Sequence, residues 1–450
     1  MKKKQQRPRM SPPKFLAIGF VTIALIGTFL LMLPISGEQG IHTRLVDAFF
    51  TAVSAISVTG LTVVDTGTHW STFGQIVILM LIQLGGLGFM TSATWIALVL
   101  NRRISLRERM ILQEAMGQYQ IQGIVDLIRR VLVYAFTIEG IGAFLLTLRF
   151  WKEMPLTDAL YLGVFQSVSI FNNAGFDLLG SIHGPFTGFV IYGTDPILNI
   201  INMCLIFLGG IGFIVMFDVM EFPKCRKLSL HSKVVLSVSG ALILIGAFAL
   251  FALEFSNPKT LGSLSYPQKV MASFFQSITS RSGGISTINI GELQQSSQFF
   301  LIMLMFIGAA PGSTGGGIKV TTFAVLVGSV ITMIKGKRDV VLFRNRISEA
   351  IVYKAVTLTI ISLLVLVGFS MFLSATESSD FLTILFEAVS AFCTVGLSMG
   401  LSTELTDVGK FTVAILMLLG RLGPLTLAYA LNRKRYKDLY RHPEGRIIIG

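Results

Sequence analysis

The stretch FTAVSAISVTGL, residues 50–61, decides the reading of this chain because it returns three more times. It comes back as FQSVSIFNNAGF at 165–176, FQSITSRSGGI at 275–285 and FEAVSAFCTVGL at 386–397. Each copy opens on Phe and reads as a short amphipathic helix running into small or polar residues and then a glycine: Gly60, Gly175, Gly284 and Gly396. These glycines are separated by 115, 109 and 112 residues, and the third copy reaches its glycine one residue sooner. A second element follows at a similar distance: QLGGLGF at 83–89, FLGGIGF at 207–213, FIGAAPGSTGGGIK at 306–319 and LLGRLGPLT at 418–426. Each unit therefore reads as an outer helix, a short re-entrant helix with its loop, and an inner helix interrupted by small residues.

With 52% of its 450 residues hydrophobic and 14% charged, and a mean hydropathy of +0.72, the chain is too apolar for an ordinary soluble domain. Apolar runs at 15–35, 73–100, 234–255 and 351–373 approach or exceed the ~20 residues that cross a bilayer as a helix. The first follows Lys2, Lys3, Lys4, Arg7 and Arg9 but outruns the ~7–15 residue core of a signal peptide, so it reads as a retained helix. The net charge of +13 sits in clusters at the N-terminus, 102–109, 224–233, 335–346 and 433–446, each flanking apolar sequence. That distribution points to membrane flanks and no nucleic-acid partner. Acidic residues prevail between the clusters, so the positive-inside rule puts both termini and three basic loops in the cytoplasm. The expected fold is an all-α integral membrane protein. Four parallel units, at 1–100, 101–222, 223–346 and 347–432, give eight spanning helices and four re-entrant pore helices around a pseudo-fourfold pore. A cytoplasmic tail follows at 433–450. Cys204, Cys225 and Cys393 have no paired spacing, which gives neither a disulfide framework nor a zinc site.

Irregular backbone at membrane depth survives only where it lines a wet cavity or is buried in protein. A ring of backbone carbonyls can replace the hydration shell of a cation without a formal charge, and glycine reaches the backbone angles that aim consecutive carbonyls inward. The expected ring is Val58, Thr59 and Gly60; Asn173, Ala174 and Gly175; Ser282, Gly283 and Gly284; Thr394, Val395 and Gly396. The inner-helix glycine pairs read equally as packing contacts and as hinges.

These loops, with APGSTGGGIK in the third inner helix and GRLGP in the fourth, resemble the Trk/Ktr/HKT superfamily of potassium transporters, and within it the membrane subunits of bacterial Ktr systems. The resemblance runs from residue 15 to 431. It implies one filter glycine per unit, with K⁺ as the transported ion, no bound cofactor and no enzymatic activity. Serine at the first of those positions accompanies Na⁺ preference in that superfamily, so Gly60 implies K⁺. It also implies a gate below the filter, matched by Ala309, Ala310, Pro311, Gly312, Ser313, Thr314, Gly315, Gly316 and Gly317; proline and clustered glycines disfavour a continuous helix there in any case. Arg421 matches a cavity arginine that acts as a barrier to cation leakage, and placing it in an apolar helix costs at least ~2.5 kcal/mol. Lys319 fits the same role or snorkels to the inner surface. The implied partners are a second copy of the chain in a homodimer and a cytosolic ring of nucleotide-binding regulatory subunits, in a bacterial cell membrane. The basic loops suit such docking or contact with anionic membrane lipid.

Glu139 and Asp218 read as locally paired residues near helix ends or interfaces, and His42, His69, His183, His231 and His442 as surface residues. GSTGGGIK is no P-loop, because an isoleucine separates glycine from lysine. The competing reading is a cation-coupled secondary transporter, moving K⁺ with Na⁺ or H⁺ at a midplane site formed by broken helices. Against it, the repeats are fourfold and parallel, without the paired broken helices of inverted halves.

Overall fold

The computed structural model describes residues 12–38, 42–88, 91–92, 94, 108, 110, 112 and 124–423. The N-terminal basic cluster, the 102–109 loop apart from Glu108, the motif residues after Gly423, the tail 433–450 and His442 lie outside the described residues.

Four groups of helices follow one another along the chain. The first holds α1 (Pro12–Leu31), α2 (Leu45–Ser57) and α3 (Thr72–Leu87); the second α4 (Ile124–Phe150), α5 (Leu156–Phe171), α6 (Pro196–Gly210) and α7 (Phe213–Cys225). The third holds α8 (Leu230–Glu254), α9 (Tyr266–Thr279), α10 (Gln295–Phe306) and α11 (Val320–Ile334); the fourth α12 (Glu349–Thr376), α13 (Phe381–Phe392) and α14 (Asp407–Leu422). A small hairpin pairs Val341–Leu342 with Asn345–Arg346.

Among the described residues, α1, α4, α8 and α12 are the single helices long and apolar enough to cross a membrane, with mean hydropathies of 1.9 to 2.5. The pair α6 and α7, bent by 102° at their junction, counts as a fifth span only if the two are taken as one. As the interrupted inner motifs lead one to expect, α3, α6, α10 and α14 each stop at or just before their motif glycines. The physical reason is the last glycine of these inner motifs: Gly88, Gly212 and Gly423 have φ of 82°, 86° and 80°, a region that ends a right-handed helix. In the third group the interruption spans the whole glycine-rich stretch between α10 and α11. Two inner segments, α6 with α7 and α10 with α11, are each broken, contrary to the expected absence of paired broken helices.

The first glycine of each pair is a packing contact. A Cβ on Gly85, Gly209 or Gly420 would stand 2.0, 2.0 or 1.8 Å from the carbonyl oxygen of Ile56, Phe171 or Phe392 in the last turns of α2, α5 and α13. Packing is thus the contact these first glycines make.

The short helices are held by the Phe that opens each repeated sequence: Phe50, Phe165, Phe275 and Phe386 are all fully buried. At 12 to 16 residues, and about 1.5 Å rise per residue, they fall short of the ~30 Å hydrocarbon core. Capping fixes where several helices begin. Asp195 accepts from the N–H groups of Ile197 and Leu198 at α6, and Thr406 from that of Gly409 at α14. The fourth group joins the first through Lys410 Nζ and Asp47 Oδ1, 2.7 Å apart and buried, with Arg44 and Asp407 paired beyond them.

Asp218 bonds locally to Ser229 and Ser232 across the turn between α7 and α8. His42 and His183 are exposed, whereas His69 and His231 are half-buried, contrary to the surface reading.

Candidate ion-conduction site

The last turns of α2, α5 and α13 close in the same way. The N–H groups of Val58, Asn173 and Thr394 reach the carbonyls of Ala55, Ile170 and Ala391 at 3.1, 2.9 and 3.2 Å, and those of Thr59, Ala174 and Val395 reach Ser54, Ser169 and Ser390 at 2.9, 2.8 and 2.8 Å. This paired 5→2 and 6→1 closure requires a left-handed residue just past the helix. Val58, Asn173 and Thr394 supply it with φ of 59°, 59° and 48°. In the third copy, Gly283 N–H bonds Thr279 at 2.7 Å, a spacing one residue shorter. That absorbs the missing residue, and Ser282 still takes φ 80°.

Left-handed angles return at Gly60, Gly175, Gly284 and Gly396. All four predicted tripeptides thus share one pattern, positive φ at the first and third residues. Hydroxyls in the last turn of each short helix pin the loops. Ser54 and Ser390 Oγ accept from the N–H groups of Gly60 and Gly396, both at 3.1 Å. Ser169 and Thr279 instead donate to the carbonyls of Phe176 and Ile285, just beyond the glycine, at 2.6 and 2.5 Å.

The four loops meet. A Cβ on Gly60 would lie 2.2 Å from the Ala174 carbonyl oxygen, and one on Gly175 2.7 Å from Gly284 Cα. A Cβ on Gly284 would lie 3.1 Å from the Val395 oxygen, and one on Gly396 2.1 Å from the Thr59 oxygen. The contacts run from first loop to second, third, fourth and back to the first, so the loops close a ring in chain order.

The stretch between α10 and α11 lies against one end of this ring. A Cβ on Gly315 would meet Ser282 Cβ at 2.8 Å, one on Gly316 would meet Thr394 Oγ1 at 2.4 Å, and Gly317 faces Cys393. Its other side rests on the break in the second inner helix. Ala310 N–H bonds the Gly210 carbonyl at 3.0 Å, Thr314 Oγ1 bonds Gly209 at 3.1 Å, and Phe213 N–H bonds Gly312 at 3.1 Å. Pro311 sits in this turn, and Ser313 Oγ bonds the Ala310 carbonyl at 2.6 Å.

Arg421 occupies the motif position held by Gly86 and Gly210 in the first two units. Its guanidinium donates to the carbonyls of Thr314, Gly85 and Gly86, bridging the glycine-rich stretch to the first inner helix. Lys319 Nζ bonds the Gly315 carbonyl at 2.6 Å and is turned inward along the same stretch, so it does not snorkel.

Sequence reasoning missed two buried charges behind the ring. Glu139 sits at an interface within α4, 5% exposed, its carboxylate bonded by the amides of Gln83 and Asn172, residues distant in sequence instead of local partners. Arg281, directly before Ser282, bonds Ser239 and the Gly308 carbonyl. A charge at membrane depth was the available signal for both.

A family model described as TrkH, cation transport protein, matches residues 2–437. The Ktr system potassium uptake protein B of Bacillus subtilis (strain 168) is 42% identical over 442 residues, covering 98% of this chain and 97% of its own. The Ktr system potassium uptake protein D of the same organism is 38% identical, with 98% of each chain covered. The potassium/sodium uptake protein NtpJ of Enterococcus hirae is 38% identical over 100% of this chain and 99% of its own. In fold, the crystal structure of the potassium transporter TrkH from Vibrio parahaemolyticus superposes with a TM-score of 0.72 at 18% identity, covering 96% of this chain and 87% of that one. Long apolar helices, a ring of buried loops and full-length relatedness agree: the chain belongs to the TrkH family of cation transport proteins.

Proposed function

We propose that this chain takes up K⁺ across a bacterial cell membrane through a gated, channel-like pore, with Val58 to Gly60, Asn173 to Gly175, Ser282 to Gly284 and Thr394 to Gly396 as the selectivity filter. The observation that carries the reading is the closed ring of four loops, each alternating left-handed and ordinary backbone. Such alternation lets successive carbonyls face a common axis, where they stand in for water around a bare cation. In this reading the four helix groups are parallel repeats, α2, α5, α9 and α13 are pore helices, and the divided inner segments complete the second crossing of each repeat. The stretch 309–317 is the gate, Arg421 and Lys319 hold its closed position, and membrane potential drives entry at ~2.3 kcal/mol per charge per 100 mV.

The names of the relatives support K⁺ uptake; one of them is named for sodium as well. "Ktr system" in two of those names supports a multicomponent assembly, which we read as a homodimer with a cytosolic ring of nucleotide-binding subunits and cytoplasmic termini. The cation-coupled alternative retains a specific support, the 102° break between α6 and α7 beside the second interruption in the third group.

Proteoliposomes of the purified chain test the proposal. K⁺ uptake is expected without a requirement for Na⁺ or a proton gradient, and faster than Na⁺ uptake; obligatory co-ion flux would favour the alternative. At Gly60, with φ 88° and the Ala174 oxygen 2.2 Å from a built Cβ, Gly60→Ser is expected to erode the K⁺ over Na⁺ preference. An unchanged ratio would remove this loop from the filter.

A further inference from the structure

The second filter loop is restrained differently from the first and fourth. In the first and fourth loops a serine hydroxyl holds the filter glycine N–H directly. In the second, Ser169 is committed to the Phe176 carbonyl, and Asn173, fully buried, has no partner for either of its side-chain polar atoms. The restraint comes from behind. Asn172, the residue before the left-handed turn, donates its amide to Glu139 Oε1 at 2.9 Å, to Gln83 Oε1 at 3.0 Å and to the Val168 carbonyl at 2.9 Å. Gln83 Nε2 in turn reaches both carboxylate oxygens of Glu139 at 3.1 Å. The far side is closed by the first inner helix, where a Cβ on Gly86 would stand 2.0 Å from Asn172 Oδ1. The Glu139 carbonyl accepts from Ser167 Oγ at 2.7 Å, tying α4 to α5 as well.

Among the described residues no lysine, arginine or histidine pairs with Glu139. A buried carboxylate without a cation is a poor stabilising device, since amide partners offset little of its desolvation. Its three connections converge instead on one residue, the hinge of one filter loop, and on the helix two residues before Gly85, which accepts from Arg421.

We propose that Glu139 is a positioning residue for the second filter loop: with Gln83 it clamps Asn172, and thereby sets the left-handed turn at Asn173 that aims the 173–175 carbonyls at the ion. The inference rests on the filter reading above and adds a residue of α4 that does not itself touch the ion. Loss of the clamp lets the loop drift, and a displacement of a fraction of an ångström is felt most by the ion whose size the ring matches.

The test uses the full chain in proteoliposomes, with K⁺ and Na⁺ uptake measured over a range of concentrations for the wild type, Glu139→Ala, Glu139→Asp and Gln83→Met. Thermal midpoints in detergent are recorded alongside. Glu139→Ala is expected to raise KM for K⁺ and lower the K⁺ over Na⁺ ratio by roughly tenfold, the scale of losing a buried acceptor pair. Glu139→Asp, which keeps the acceptors, should recover part of the ratio, and Gln83→Met should shift it in the same direction as Glu139→Ala by a smaller factor. A lower thermal midpoint with an unchanged ratio and KM overturns the proposal, leaving Glu139 as structure alone. Should Glu139→Ala fail to fold, Gln83→Met decides: an unchanged ratio there also overturns it. A wild type that does not prefer K⁺ sinks the filter reading itself, so the two failures are distinguishable.

Discussion

Val58 and Thr394 are β-branched, yet both sit in the left-handed region, with φ of 59° and 48°. For such residues that conformation is a genuine outlier costing about 1–3 kcal/mol, retained where the surroundings over-determine it. Two backbone bonds on each closing turn do so here. The glycines two positions on have no alternative. At Gly396, φ 88° and a built Cβ 2.1 Å from the Thr59 oxygen leave no room for a methyl group. Gly396→Ala is therefore expected to abolish rubidium tracer uptake while the protein still inserts and purifies. Asp177, two residues past Gly175, carries a pH dependence. Burial, with Asp65 nearby as the smaller cause, pushes its carboxyl up to about 6. Because the folded value is raised, the stability held by the protonated form is complete near pH ~4 and is lost as pH rises through about 6. Above that value a negative charge stands by the loop. In the proposed pore, external acidification through pH 6 should slow K⁺ uptake, and Asp177→Asn should flatten that step.

At the level of elements, the interrupted inner helices carry the proposed gating. The stretch between α10 and α11 is lodged between the ring and the break in the second inner helix, held by bonds to Gly209 and Gly210 and by the guanidinium of Arg421. Nothing covalent keeps it there. Gly316→Ala would place a methyl 2.4 Å from Thr394 Oγ1 and push the stretch off the ring. Arg421→Gln would remove its charged tether. Both variants are expected to raise basal rubidium flux, and lowered flux in both would assign the stretch to conduction instead of closure.

Across the whole molecule, the ring closes only if the fourth helix group finds the first. Lys410 and Asp47, 363 residues apart and with side chains 10% and 12% exposed, make that joint. Removing one partner of a buried pair leaves the other uncompensated, at about 3 kcal/mol. Asp47→Asn should lower the thermal midpoint of the solubilised protein, and Asp47→Asn with Lys410→Met should recover most of the loss.

Much of this was legible in the residues themselves. Long apolar runs mark α1, α8 and α12, and the recurring Phe and glycine mark each short helix and its loop, because hydropathy and left-handed backbone are properties of a few adjacent residues. The twelve proposed filter residues follow from that recurrence. Tertiary structure alone decided the order in which the loops meet, the 102° bend between α6 and α7, the inward turn of Lys319, and the partners of Glu139 and Arg421. Those depend on contacts between residues far apart in the chain. Arg421 reads as an anomaly in its own helix and acquires a role only where the Thr314 and Gly85 carbonyls, 107 and 336 residues away, come within reach of its guanidinium.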